Sequence, residues 1–301
     1  MNGTGGVSSD TGGADGTLII SAGGGQASSA NDCTQASVSV LFVIDRSGSM
    51  NCNLPPTTAS ADCEKMSPPA KVNPALPSKW DVISQTMSAA LDQLVPVDPS
   101  VTVRAGVVFF SVDGICGATS SPAVPVDVVS PAQLDKIRQA VAGQHPSGGT
   151  PIVGATVLGY KYLYQTLGVT SNAHIILITD GADSCGDYYS AEPGVGTGDH
   201  VAELITSEAP QALAVGIKTW VIGAPGSEPA RYTLSSLAVA GGTRRTPDCN
   251  PGSSQDPTSG DCHYDMTTST QGADGGAADF GTALKGALTH IMDVVTCRQL
   301  S

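Results

Sequence analysis

In the stretch VLFVIDRSGSM (residues 40–50), five apolar residues run into an acid, and hydroxyls then follow at alternate positions: Asp45, Ser47, Ser49. Two more hard-oxygen positions occur downstream, Thr150 at the end of GGT (148–150) and Asp180 inside TDG (179–181). Carboxylate and hydroxyl oxygens suit Mg2+, Mn2+ or Ca2+ rather than Zn2+. Two acids facing one another without a cation would repel, and a divalent ion relieves that. An octahedral ion reached by few protein oxygens keeps water positions that an incoming carboxylate can replace. Singly, each residue has a plainer reading: Thr150 as a helix N-cap, which is worth about 1 kcal/mol, Ser47 and Ser49 as turn formers, and Asp180-Gly181 as a turn. Together they point to a metal site, provided the fold brings them to one place.

The elements that must do so are legible as hydrophobic runs. Residues 38–44, 101–110, 124–129, 174–180, 216–224 and 263–268 read as strands. Between them, Trp80, Ile83, Met87, Leu91 and Leu94 recur at helical spacing, and Ser130-Pro131 opens a helix carrying Leu134, Ile137 and Val141 on one face. Thr150-Pro151 repeats that start signal for a helix to about Leu167, and Val201, Leu204 and Ile205 mark another that Pro210 ends or kinks. Residues 232–240 form a short helix, and Phe280, Leu284, Leu288, Ile291 and Val295 stripe a long last one. Strands alternating with helices mean an α/β fold, a mostly parallel sheet covered on both faces. Ligands bind such sheets at the carboxyl ends of the strands. Asp45 and Asp180 each stand at one of those ends, and Thr150 opens the helix before the second, so all five residues are expected on one edge.

Other chemistries find no support. The 301 residues carry 14 basic and 27 acidic side chains, a net charge of −13, which opposes binding to nucleic acid or an anionic membrane surface. Position 47 is Ser, so the second acid of an aspartyl-phosphate site is missing. There is no G-x-S-x-G elbow, H-E-x-x-H pair or P-loop, and DGADSCG from residue 180 places Ala182 and Ser184 where an EF-hand needs ligands. His174, inside a strand, reads as a hydrogen-bonded core residue. The chain is therefore expected not to be an enzyme. No apolar run is long enough to span a bilayer.

DRSGS after a buried strand, GGT opening a helix and TDG after another strand together resemble the von Willebrand factor A domain with its metal-ion-dependent adhesion site. The likeness covers about residues 33–297, with long inserts at 51–78 and 246–262 as departures. It implies a Rossmann-like fold whose mostly parallel sheet has one short antiparallel edge strand. It implies that Ser47, Ser49 and Thr150 bind Mg2+ (or Mn2+ or Ca2+) through hydroxyls, and that Asp45 and Asp180 hold it through bridging waters. Such an ion would seek an acidic side chain of a protein partner. A non-catalytic subunit of an ATP-driven enzyme complex, similar to the related domains of metal chelatases, is the alternative.

Eight cysteines, six of them in loop-like segments and none in C-x-x-C, favour disulfides and an oxidising, extracytoplasmic compartment. Within the implied topology Cys33 and Cys297 should lie close and form a bridge, and Cys249 and Cys262, which flank one loop, should pair locally. The remaining four fall on the metal side, where the reading leans to Cys52–Cys63 and Cys116–Cys185 with their pairing open. Residues 1–32, rich in Gly, Ser and Thr, read as a flexible tether to a domain at 33–301. That tether resembles those following the lipidated cysteine of bacterial surface lipoproteins, so a removed leader and a lipid anchor upstream of Met1 are expected. Loops 51–78, 111–123 and 181–199 should form the rim that selects partners, with Tyr188 and Tyr189 as its contact residues.

Overall fold

A computed structural model describes residues 37–54, 62–63, 65–112, 115–167, 172–185, 200–253, 261–267 and 277–296. The proposed tether, Cys33, Cys297, Tyr188 and Tyr189 lie outside the described residues.

Six strands form one sheet: β1 (Ser37–Asp45), β2 (Thr102–Phe110), β3 (Val124–Val128), β4 (Asn172–Thr179), β5 (Ile217–Gly223) and β6 (Tyr264–Asp265). Their order is β3-β2-β1-β4-β5-β6, parallel throughout except for the edge strand β3, which runs antiparallel to β2. The helices are α1 (Lys79–Ala90), α2 (Pro131–Ala142), α3 (Ile152–Leu167), α4 (His200–Glu203), α5 (Ala209–Ala214), α6 (Arg231–Ala240) and α7 (Ala277–Val295).

The period-two alternation of side chains on β1 separates two cores. Val38, Val40, Phe42 and Ile44 pack under α1, α2 and α7, whereas Leu41 and Val43 face α3, α5 and α6. Because β1 is buried on both faces, it reads as an unbroken apolar run. The expected α/β architecture, including the short antiparallel edge, is what the chain adopts.

Three local expectations are sharpened. The helix signalled by Thr150-Pro151 has Ile152 as its first residue. Val153 N donates to Asp183 Oδ2 at 2.8 Å, so a carboxylate from the loop after β4 satisfies the helix start. Of the two outcomes expected at Pro210, an end or a kink, the helix shows an interruption rather than an end. A π turn over Leu204–Glu208 precedes Pro210 and admits the proline near the start of α5. The strand expected over 263–268 is only two residues long, because Thr267 N turns back onto Asp265 Oδ1 at 2.8 Å. His174 is the buried, hydrogen-bonded residue expected: Nε2 meets Asn172 Oδ1 at 2.9 Å, Trp220 Nε1 donates to Nδ1 at 3.2 Å, and burial pushes its pKa down to about 3.

Candidate metal centre

Asp45 ends β1 and Asp180 follows the last residue of β4, the strand beside it, so the parallel register carries both acids to the carboxyl edge. Both are buried. Asp45 Oδ1 accepts Ser47 N at 2.7 Å and Oδ2 accepts the Thr179 hydroxyl at 2.6 Å. A 3-10 turn, Gly48–Asn51, then brings the serines together, with Ser47 Oγ and Ser49 Oγ 3.0 Å apart. Ser49 Oγ donates to Asp180 Oδ1 at 2.9 Å and closes the cluster. Burial, and after it the negative charge of Asp180, push the Asp45 pKa up to about 7.

The GGT loop reaches the serine turn through its main chain, and the hydrogen bond that Thr150 itself donates goes to Ser184. Gly48 N donates to Gly148 O at 2.8 Å, which fixes the GGT loop against the serine turn, and Thr150 N donates to Ser184 Oγ at 2.8 Å. With Val153 N taken by Asp183, Thr150 is not needed as the helix cap. Gly149 is required by packing: a Cβ there would stand 2.8 Å from Cys185 Sγ and 3.1 Å from Cys116 Sγ.

The donor set consists of carboxylates and hydroxyls, all hard oxygens, around two buried acids whose mutual repulsion a divalent cation would relieve. These residues fit Mg2+, Mn2+ or Ca2+. Among the described residues no group of three or more His, Cys, Asp or Glu could hold a metal, so a site here must draw on hydroxyls.

Disulfides join Cys52 to Cys63, Cys116 to Cys185 and Cys249 to Cys262. The first two fasten loops beside the cluster. A Cβ at Gly48 would come within 2.8 Å of Pro69 Cγ, so the 51–78 insert lies against the serine turn, and Gly149 N donates to Ile115 O at 2.5 Å. Both loops expose apolar side chains that the sequence reading did not single out: Met66 and Val72 on the insert, Val112 and Ile115 on the other. It also missed Lys79, buried at the start of α1, whose Nζ lies 2.5 Å from Asp180 Oδ2.

The strand order, the antiparallel edge and the helices on both faces define a von Willebrand factor A-like α/β fold. No protein-family model and no curated protein sequence matches the chain. Among solved structures it is similar to the pilus adhesin SpaC from Lactobacillus rhamnosus GG (TM-score 0.53, 16% identity, 87% of this chain and 31% of that one). It is also similar to the PilB minor pilin from Streptococcus sanguinis (TM-score 0.52, 15% identity, 87% and 62%). A von Willebrand factor type A protein from Catenulispora acidiphila aligns over 67% of this chain and 37% of its own, at 18% identity and TM-score 0.42. The chain thus spans less than two thirds of each of these proteins, and at such identities the likeness concerns the fold. Among the described residues no helix is long and apolar enough to cross a membrane.

Proposed function

We propose that this chain is an extracytoplasmic, non-catalytic binding domain that recognises an acidic side chain of a protein partner through a divalent metal ion. Mg2+ is the favoured ion, with Mn2+ or Ca2+ as substitutes, and Asp45, Ser47, Ser49, Thr150 and Asp180 are the residues that would hold it. The observation carrying this reading is the hydrogen-bonded run from Asp45 through Ser47 and Ser49 to Asp180, an all-oxygen cluster around two buried carboxylates. When bound, the ion supplies a Lewis-acidic position for a partner's carboxylate. The chain's own residues fix the carboxylates, orient the hydroxyls and surround the position with a rim. Three disulfides among the described residues favour an oxidising compartment and weigh against a cytosolic chelatase-like subunit. The likeness in fold to a pilus adhesin agrees with a surface role. A lipid anchor reached through residues 1–32 completes the proposal, as do Tyr188 and Tyr189 as further rim residues.

Isothermal titration of Mg2+ into wild type, Asp45→Asn and Thr150→Ala tests the site. Wild type should bind and both variants should lose binding, while their unfolding in EDTA stays cooperative. Variants that bind Mg2+ like wild type would overturn the proposal. Capture of a surface protein that EDTA releases would then identify the partner.

A further inference from the structure

The feature of the centre that the oxygen ligands do not explain is a buried lysine. Lys79 is 1% exposed. It occupies the first position of α1, where Ser78 and Asp81 cap one another reciprocally and Lys79 N donates to Cys52 O at 3.0 Å. The helix start is therefore held from both sides, and the side chain is committed inward to Asp180, one hundred and one residues away. A third segment closes over the pair. Gly226, in the loop after β5, has φ +111°, and a Cβ there would stand 2.7 Å from Lys79 Nζ and 3.0 Å from Asp180 O. Any side chain at 226 would push the ammonium away. A helix cap, a left-handed glycine and a strand-end acid thus converge on one ion pair.

Burying an ammonium is costly unless its partner compensates it. Here the partner is an acid that a divalent ion could neutralise alone, so the lysine must alter how the centre meets that ion. We infer that Lys79 is a built-in counter-cation of the metal centre, a positioning residue that holds Asp180 in place without metal, weakens Mg2+ binding and leaves the loaded centre positively charged. The inference rests on the metal-site reading above. Asp180 is held at both oxygens, by Ser49 on one and Lys79 on the other. Without the ion, one of the two buried negative charges is already cancelled, and the carboxylates can stay together. With it, ammonium and Mg2+ repel at close range in a poorly screened setting. The two carboxylates then face three positive charges, and the surplus favours an anionic side chain from a partner.

The test compares wild type with Lys79→Met, which keeps the stem and removes the charge, using Mg2+ alone as the probe. Titration calorimetry should show the variant binding Mg2+ about tenfold or more tightly, the size expected for removing one nearby like charge. In EDTA its melting temperature should fall below that of wild type, and Mg2+ should raise it by more than it raises wild type. Lys79→Arg, which keeps the charge, should retain wild-type affinity. Binding by wild type with equal or weaker affinity in Lys79→Met would overturn this inference and leave the metal site standing. Absence of binding in both proteins would overturn both, whereas binding only by the variant would support the lysine as a substitute for the ion. If Lys79→Met folds only in excess Mg2+, the ion has taken over the lysine's charge, as inferred. Failure of both Lys79→Met and Lys79→Gln to fold even in excess Mg2+ would sink the idea.

Discussion

Two pairs of acids, one buried and the other joining buried Asp261 to half-buried Asp265, lie toward the same edge of the sheet, and they are neutralised in different ways. Asp45 and Asp180 are met by hydroxyls and by one ammonium paired with Asp180. Asp261 and Asp265, beside the short strand β6, are met by a guanidinium: Arg231 Nε donates to Asp265 Oδ2 at 2.8 Å, and its terminal nitrogen donates to the Thr267 hydroxyl. Burial alone would lift Asp265, but hydrogen bonds from Thr267 and then Arg231 outweigh it and hold its pKa below the usual range. Asp261, lacking such donors, is pushed up to about 7, first by burial and then by its hydrogen bond to Asp265. In the second pair Arg231 meets Asp265, and the raised pKa of Asp261 favours its protonated form, so the charge is settled within the protein. The first pair is compensated by half, with hydroxyls that can turn their oxygens toward a cation. On this contrast the first pair fits the exchangeable ion proposed above, whereas the second ties α6 to the sheet edge through Arg231.

The strongest way to break the contrast is to remove Asp180. Asp180→Ala should abolish Mg2+ binding and also remove the acid paired with the buried ammonium of Lys79, costing about 3–5 kcal/mol. Urea denaturation in EDTA measures this. A loss as small as that of a surface substitution would mean that Lys79 leaves the pair freely, and the two acid pairs would then differ less than argued.

The second pair should behave oppositely. Arg231→Met should cost about 2–3 kcal/mol by leaving Asp265 without its charged donor, yet Mg2+ affinity should be unchanged. A shift in Mg2+ affinity on titration of this variant would join the two clusters into one electrostatic unit and end the comparison.

What the sequence disclosed follows from this difference. Asp45, Ser47 and Ser49 stand within five residues of one another after an apolar run, and strand ends in a parallel sheet carry Asp180 to them, so local spacing and one topological rule suffice. The sheet was legible because β1, β2, β4 and β5 are apolar on both faces. Lys79 was not legible. A lysine at the first position of an amphipathic helix ordinarily lies in solvent, and its partner is set by tertiary packing alone. Asp183 was missed for a related reason, because it caps a helix that precedes it in the chain. The Asp261–Asp265 pair fell in and beside an insert read only for its cysteines. It becomes visible once Arg231 is seen to pack there.

A smaller effect distinguishes the pairs by pH. The raised pKa of Asp261 means that its proton stabilises the fold fully below the unfolded value of 3.8, and that this contribution is lost as the pH rises through about 7. Asp265, held low, acts in the opposite sense: its contribution is present above the unfolded value and is lost on acidification. Asp261→Asn keeps a donor for Asp265 without a titrating proton. It should be about 1 kcal/mol more stable than wild type at pH 8, with the difference vanishing near pH 4. Denaturation in EDTA at the two pH values checks this, and a difference that does not change with pH would rule out proton sharing in the pair.

The smallest expected effect lies at the lip of the first pair. Ile115 is 66% exposed, so it holds no core together, yet its backbone is fixed. Its carbonyl accepts Gly149 N at 2.5 Å and the Ser111 hydroxyl at 3.2 Å, and the neighbouring Cys116 is bridged to Cys185. An apolar residue whose backbone is already fixed beside the proposed metal position has less freedom to lose on binding, which is what a rim contact requires. A partner that offers an acidic residue flanked by apolar ones would satisfy both the ion and this lip. Ile115→Ala should therefore weaken partner binding by about 1 kcal/mol while leaving Mg2+ affinity as it is and stability within about 0.5 kcal/mol of wild type. Surface plasmon resonance against the EDTA-released partner measures the first, and titration and melting measure the others. Unchanged partner affinity would move the selecting surface away from this loop, to Met66 and Val72 on the insert or to Tyr188 and Tyr189. A fall in Mg2+ affinity would instead make Ile115 a support of the GGT loop, which its hydrogen bond to Gly149 also permits, and only the pairing of the two measurements tells these roles apart.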